Sequence, residues 1–227
     1  MEDQKIGEDK EKLTGISAVI FDMDGLMIDS EPVHCQAFHQ VLQKFGHGLT
    51  EEENAKRYVG IADIDIANDL IGRYGLSIAA DELVKQKREA YGNLLGQQVV
   101  PQAGLVDLLT GLKDSGLKVA VASSSAIKEI ETVIDALNIR SMIDQYCSAD
   151  QVEKGKPAPD LFLFAAEKLN TPPSQCLILE DAPSGIEAAN AAGMYSFAVP
   201  SRETADKDFS NATRKLNSLA EVVSNLG

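Results

Sequence analysis

Short apolar runs rich in β-branched residues alternate with amphipathic helical patterns along most of the chain. Four of these runs predict buried strands, at Ile16–Phe21, Lys118–Ala122, Cys176–Leu179 and Ser196–Val199, and a weaker one lies at Gln145–Ser148. Helical patterns cover Leu105–Ser115, Ile127–Leu137, Pro159–Leu169, Gly185–Ala192 and Leu219–Leu226. Strands and helices that alternate with short connections predict an α/β fold with a doubly wound parallel sheet.

One long stretch departs from this alternation, because from Pro32 to about Gln98 the sequence contains no convincing strand. A crossover between parallel strands needs far fewer residues than this. The stretch instead contains four helical patterns, at Val33–Phe45, Glu51–Tyr58, Ile64–Arg73 and Asp81–Leu95. We therefore expect residues 31–99 to form an inserted all-helical cap domain, residues 16–30 and 100–227 to form the catalytic α/β core, and residues 1–15 to be a flexible N-terminal tail.

The charge balance limits the kinds of partner that this chain can have. The 227 residues include 21 basic and 35 acidic side chains, so the formal net charge is −14. Such a surface repels polyanions, which argues against nucleic-acid and membrane partners. The three cysteines are widely spaced and odd in number, and residues 1–13 contain no apolar signal-peptide core, so we expect a cytoplasmic protein. We expect it to be a monomer, with a weak homodimer as the alternative.

Polar clusters follow the predicted strands at the point where each strand ends. These clusters are Asp22–Gly25, Ser123–Ser125, Lys156–Pro157 and Glu180–Asp181. Taken singly, each is ordinary, since Asp and Gly favour turns and serines cap helices. Ligands of open α/β sheets bind beyond the carboxyl ends of the strands, so together the clusters predict one site.

Several carboxylates and one lysine would meet in this site, and such crowding requires a cation. Oxygen ligands without His or Cys favour Mg²⁺. Asp22 is then suited to attack phosphorus as a nucleophile, and Asp24 to transfer a proton to and from the reacting oxygens. Ser123 and Lys156 are suited to bind the oxygens of the transferred phosphoryl group.

Four motifs, in this order along the chain, carry a resemblance to a known family. They are FDMDGLMIDSE at Phe21–Glu31, VAVASSS at Val119–Ser125, KGKPAPDLF at Lys154–Phe162 and LILEDAPSGIEAANAAGM at Leu177–Met194. The sequence resembles the haloacid dehalogenase-like superfamily, specifically its phosphatases and the β-phosphoglucomutase-like subgroup with a helical cap. The resemblance spans essentially residues 16–223.

The resemblance implies a role for each motif residue. Asp22 corresponds to the nucleophile, and Asp24 to the general acid/base, which also offers its main-chain carbonyl to Mg²⁺. Ser123 and Lys156 correspond to the phosphate-binding residues. The implied metal ligands are Asp22, Asp24, Asp181 and Glu180, the last binding directly or through water. The candidates for contacts with the substrate are Gly25, Glu31, Gly60, Ser124 and Ser125.

The resemblance leaves more than one activity open. Mutase relatives place an arginine after a cap glycine to grip a second phosphate, whereas Val59–Asp63 here contains an acid. We expect Asp63 to repel a distal phosphate, so hydrolysis of a small phosphorylated metabolite, a sugar phosphate or nucleoside monophosphate, is the main hypothesis. A β-phosphoglucomutase-type phosphomutase is the alternative. A non-catalytic phosphometabolite-binding protein is a third hypothesis, which the complete set of motif residues disfavours.

Overall fold

The structure is a computed structural model that describes residues 12–59 and 61–227. The described residues form a six-stranded sheet in the order β3-β2-β1-β4-β5-β6, with every neighbouring pair parallel. The strands are β1 (Ala18–Phe21), β2 (Lys118–Ser123), β3 (Gln145–Ser148), β4 (Cys176–Glu180), β5 (Tyr195–Ala198) and β6 (Arg214–Lys215). The prediction of an α/β fold with a parallel sheet is confirmed.

Among the described residues, five helices lie between β1 and β2, and three more alternate with the later strands. The first five are α1 (Glu31–Gln43), α2 (Glu51–Arg57), α3 (Asp63–Tyr74), α4 (Ala80–Gln98) and α5 (Leu105–Asp114). The others are α6 (Ile127–Ala136), α7 (Asp160–Lys168) and α8 (Pro183–Ala191). None of the helices in the described residues combines the length and apolar character needed to cross a membrane.

Helices cover both faces of the sheet, because successive side chains of a strand point to opposite sides. Val19 and Phe21 of β1 pack in one core with residues of α5 and α6. Ala18 and Ile20 of the same strand pack in a second core with residues of α7 and α8. The sheet is therefore buried on both faces, as a doubly wound fold requires.

The helices α1, α3 and α4 share a third hydrophobic core, which includes Phe38, Leu70 and Leu83, and Tyr58 directly after α2 packs into it. Further along α4, Leu94 and Leu95 belong to the core beside the sheet, so this helix joins the helical layer to the strands. The division into a cap at residues 31–99 and a core at residues 16–30 and 100–227 stays a prediction. Of the predicted tail at residues 1–15, residues 1–11 lie outside the described residues.

The C-terminal segment differs from its prediction. The expected helix at Leu219–Leu226 is replaced by two 3₁₀ turns, Leu219–Glu221 and Val223–Asn225. Ser224 Oγ and Asn225 Nδ2 both donate to the Glu221 carbonyl, at 2.8 and 2.7 Å, and such side-chain bonds compete with α-helical pairing. Leu226 then forms a parallel bridge with Leu13, which draws the chain end into extended backbone.

Candidate active site

The topology of the sheet brings the predicted motifs to one edge. Strand β1 lies between β2 and β4, so Asp22 after β1 neighbours Ser123 at the end of β2 and Glu180 at the end of β4. The Asp22 amide donates a hydrogen bond of 2.9 Å to the Leu179 carbonyl, which extends the pairing of β1 with β4 by one residue. The carboxyl ends of these parallel strands form the site.

Three carboxylates converge at this edge. Oxygen atoms of Asp22, Glu180 and Asp181 lie within 4.8 Å of one another, and all three residues are buried. Gly25, predicted to contact substrate, lies against Asp181, since a Cβ at residue 25 would be 2.7 Å from the Asp181 Cγ. Its φ of +84° also favours glycine. The turn after β1 therefore makes room for the Asp181 carboxylate.

Lys156 is the cation of this group. Its Nζ donates to Asp22 Oδ1 at 2.5 Å and to Glu180 Oε1 at 2.8 Å, and its side chain is only 6% exposed. The same Nζ lies 4.8 Å from the centre of the Phe162 ring. Burial opposes the charged form of Lys156, but Asp22 and Glu180 outweigh it and raise the pKa of the ammonium.

The carboxylates carry more negative charge than one ammonium can offset. Burial raises the pKa of Asp22 well above its usual value, with further increases from Glu180 and Asp181 and an opposing effect of Lys156. Burial and then the Glu180 charge raise the pKa of Asp181 to about 7. A divalent cation such as Mg²⁺ would relieve the repulsion among these buried carboxylates, whose hard oxygen atoms are the ligands that it prefers.

The Asp24 side chain lies beside this acidic group and points toward the loop after β2. Its Oδ2 accepts hydrogen bonds from Ser125 Oγ at 2.7 Å and from Ser123 Oγ at 3.4 Å, and its Oδ1 lies 3.5 Å from the Tyr91 hydroxyl of α4. Ser125, expected to contact substrate, thus contacts Asp24 here. Nothing in the sequence pattern singled out Tyr91, because it occupies an apolar position of a helix.

The other predicted substrate residues are separate from this group. Glu31, in the first turn of α1, accepts a hydrogen bond of 3.4 Å from Asn54 Nδ2, and burial raises the pKa of its carboxyl. Ser124 is exposed in the loop after β2. Gly60 lies outside the residues that the structure describes.

A cavity of about 300 Å³ lies between the first two helices and the loop after β5. Its charged lining consists of four carboxylates and one guanidinium: Asp29, Glu31, Glu51, Glu203 and Arg202. The loop after β5 also lies beside the turn after β1, since Ser201 and Glu203 line one cavity together with Gly25, which lies against Asp181. This space, which we call the acidic cavity, therefore adjoins the candidate active site.

A second ion pair, between a buried lysine and a half-buried aspartate, lies in the helical layer. Lys87 Nζ, on a side chain only 1% exposed, lies 2.8 and 2.9 Å from the two Asp63 oxygens and 2.6 Å from His34 Nδ1. The His34 ring stacks on Tyr91 with centroids 4.2 Å apart. Asp63 is therefore paired with Lys87, and its charge is not free to repel a distal phosphate as the sequence predicted. The sequence did not predict this pair, because one lysine within a helical pattern does not indicate which residue it contacts.

Known proteins resemble this chain over most of its length. A sequence profile of the family described as haloacid dehalogenase-like hydrolase matches residues 19–199. Fructose-1-phosphate phosphatase of Escherichia coli strain K12 is 36% identical, across 78% of this chain and 93% of the relative. Hexitol phosphatase B of the same strain is 33% identical, across 91% of this chain and 94% of the relative. The crystal structure of β-phosphoglucomutase from Clostridium difficile has a TM-score of 0.67 and 26% identity, across 91% and 93% of the two chains.

Proposed function

Because the chain belongs to the haloacid dehalogenase-like hydrolase family, we propose that it is a Mg²⁺-dependent phosphatase of phosphorylated carbohydrates that acts through an aspartyl-phosphate on Asp22. Relatives named as phosphatases support phosphoric monoester hydrolysis. The observation that carries the proposal is the buried group of Asp22, Glu180 and Asp181, whose oxygens lie within 4.8 Å of one another, in contact with Lys156.

The chemistry of the donor set fits a magnesium ion. Asp22, Glu180 and Asp181 supply hard oxygen ligands, and the main-chain carbonyl of Asp24 is a further proposed ligand. A bound Mg²⁺ would offset the charge of the carboxylates and of the substrate's phosphoryl oxygens. Lys156 would neutralise one further negative charge in the same place.

The proposed reaction has two steps. A carboxylate oxygen of Asp22 attacks phosphorus, and the bond from phosphorus to the substrate oxygen breaks as Asp24 gives its proton to that oxygen. Asp24 then takes a proton from water as the water oxygen attacks the same phosphorus, which releases inorganic phosphate and restores the Asp22 carboxylate. Ser123 and Lys156 would donate hydrogen bonds to the phosphoryl oxygens in both steps.

The acidic cavity supports a neutral, hydroxyl-rich leaving group over one that carries a second phosphate. Carboxylates accept hydrogen bonds from sugar hydroxyls. In contrast, a phosphate charge about 6 Å from one carboxylate would be repelled by roughly 3 kcal/mol at an effective dielectric constant of about 20. Arg202 offsets part of this repulsion, but four carboxylates line the same space. This balance favours hydrolysis of a monophosphate over a phosphomutase reaction, which remains the second candidate because of the structural likeness to β-phosphoglucomutase.

We also propose that residues 31–99 act as a cap domain over a core of residues 16–30 and 100–227. Such a cap would exclude water from the reacting groups and contribute to the choice of substrate. The position of α1 and α2 on one side of the acidic cavity, with the loop after β5 on the other, supports this division.

The test is hydrolysis of p-nitrophenyl phosphate by wild type, Asp22→Asn and Asp24→Asn, each with Mg²⁺ and with chelator. We expect both variants, and wild type in chelator, to lose turnover, since nucleophile, acid and metal are each required. Asp107→Asn is the matched control, because Asp107 is exposed in the first turn of α5. Full activity of Asp22→Asn would rule out the proposed nucleophile.

A panel of phosphorylated metabolites then tests the substrate class. We expect sugar and polyol monophosphates to have higher kcat/KM than bisphosphates with the same carbon skeleton. NMR of glucose 1-phosphate with a trace of glucose bisphosphate separates the two activities. Release of inorganic phosphate supports the phosphatase, whereas accumulation of glucose 6-phosphate would establish the phosphomutase.

A further inference from the structure

Gly185 lies in the first turn of α8, directly beneath the side chain of Glu180. A Cβ built at Gly185 would overlap the Oε1, Cδ and Cγ atoms of Glu180. Both oxygens of that carboxylate are already engaged, Oε1 by Lys156 Nζ at 2.8 Å and Oε2 by the Ala182 amide at 2.7 Å. Glu180 therefore cannot retreat from an added methyl group without breaking these contacts.

The backbone at residue 185 does not itself call for glycine. The residue is helical, and alanine is normally the more stabilising residue inside a helix. By comparison, Gly111 in α5 is also helical, but a Cβ there would first meet Val223 Cγ2 at 3.5 Å, an ordinary contact. The physical reason for glycine at residue 185 is thus the space that Glu180 occupies.

We propose that Gly185 is a positioning residue for the divalent cation site. Its missing Cβ lets Glu180 fold across the first turn of α8, which keeps the Glu180 carboxylate within 4.8 Å of the oxygens of Asp22 and Asp181. The inference rests on the proposed function in one respect, that this acidic group holds a divalent cation. A side chain at residue 185 would move Glu180 out of the group and leave Lys156 paired with Asp22 alone.

The experiment compares Gly185→Ala with the matched control Gly111→Ala. Each purified protein is stripped with chelator and titrated with MgCl₂ in a calorimeter, with no substrate present. We expect the dissociation constant of Gly185→Ala to rise about 10-fold or more, the range seen when residues that support metal ligands are lost. We expect Gly111→Ala to bind Mg²⁺ as wild type does.

A double-mutant cycle distinguishes positioning from a general disturbance of α8. In a Glu180→Ala background there is no side chain left to displace, so adding Gly185→Ala should leave the dissociation constant unchanged. If Gly185→Ala does not fold, a folded Glu180→Ala/Gly185→Ala protein supports the inference, because the overlap is then gone. An unfolded double variant beside a folded Gly111→Ala would overturn it.

The outcomes also separate this inference from the proposed function. Equal Mg²⁺ affinity in wild type and Gly185→Ala overturns the role of Gly185 and leaves the metal site in place. Independent, additive losses in the double variant overturn it as well. If wild type binds no divalent cation, both the proposed metal site and the role of Gly185 in it are overturned.

Discussion

Ser125 donates a hydrogen bond of 2.7 Å from its Oγ to Oδ2 of Asp24, and so joins the loop after β2 to the turn after β1. Ser125 is itself fixed at two other points. Its amide donates to Ser123 Oγ at 3.0 Å, and its carbonyl accepts from Ser148 Oγ at 2.7 Å. The Asp24 carboxylate is therefore oriented by a serine whose own main chain is held by the side chains of Ser123 and Ser148.

We expect Ser125→Ala to lower kcat about 10-fold, because the lost hydrogen bond that orients the Asp24 carboxyl is worth roughly 1.5 kcal/mol. KM should change little, since the lost contact is to Asp24 and not to substrate. Steady-state kinetics on p-nitrophenyl phosphate measure both quantities. The control is Ser115→Ala, an exposed serine at the end of α5. A higher KM with unchanged kcat would instead support the direct substrate contact predicted from the sequence.

Lys156→Met should destabilise the protein strongly in chelator. The substitution leaves Asp22 and Glu180 buried without their cation, and breaking a buried ion pair typically costs about 3–5 kcal/mol. We expect Mg²⁺ to restore part of this loss, because the ion would replace some of the missing positive charge. Urea denaturation with and without Mg²⁺ measures the free energy of unfolding in each state.

The matched control for Lys156→Met is Lys113→Met. Lys113 pairs with Asp144 at 2.8 Å, but both side chains of that pair are about one-third exposed, at 34% and 37%. Surface pairs contribute about 1 kcal/mol or less, so the control should lose little stability. Equal losses in the free energy of unfolding of the two variants would show that burial of Lys156 does not add to the effect of removing it.

The strands that carry the site, β1, β2 and β4, could be predicted from the sequence, because each is a short apolar run followed directly by polar residues. Asp22, Glu180 and Asp181 were expected together for a simple reason: the carboxyl ends of parallel strands share one edge. Strands β1–β5 lie within a few residues of their predicted bounds. In contrast, β6 has only two residues, Arg214–Lys215, and no apolar alternation marks it in the sequence.

The contacts of the helical layer could not be predicted in the same way. Lys87 and Tyr91 lie one turn apart on α4, and only the packing of that helix shows that they face His34 and Asp24. A helical pattern predicts an apolar face, so it gives no reason to expect a buried lysine there. The orientation of the Asp24 side chain likewise depends on Ser125, from a strand loop about 100 residues away.

The Lys87 pair predicts an asymmetry between two neighbouring aspartates. Asp63→Ala leaves the buried Lys87 ammonium without its carboxylate, so we expect a loss of roughly 3 kcal/mol in the free energy of unfolding. Asp65→Ala, an exposed residue in the same first turn of α3, should lose less than about 1 kcal/mol. Urea denaturation at neutral pH measures both. Similar losses in the two variants would show that the buried Lys87 ammonium does not depend on Asp63 for its stabilisation.

His34 should make the stability of the protein depend on pH. Burial and then the Lys87 ammonium lower the pKa of His34 to about 4. The ordinary histidine pKa is about 6.5, so between these values the unfolded chain binds more protons than the folded one. The stabilising contribution of neutral His34 is therefore present above pH of about 6.5 and is lost as the pH falls toward about 4.

Between pH 7 and pH 5 this linkage amounts to about 2 kcal/mol. His34→Phe keeps a ring beside Tyr91 but cannot be protonated, so its stability should fall less over that interval than the stability of wild type. His47→Phe is the matched control, because His47 stacks on Tyr74 in the same way, with centroids 4.3 Å apart. Comparing urea denaturation of the three proteins at both pH values cancels the contribution of other titrating groups. Identical pH dependence in wild type and His34→Phe would mean that protonation of His34 does not destabilise the helical layer.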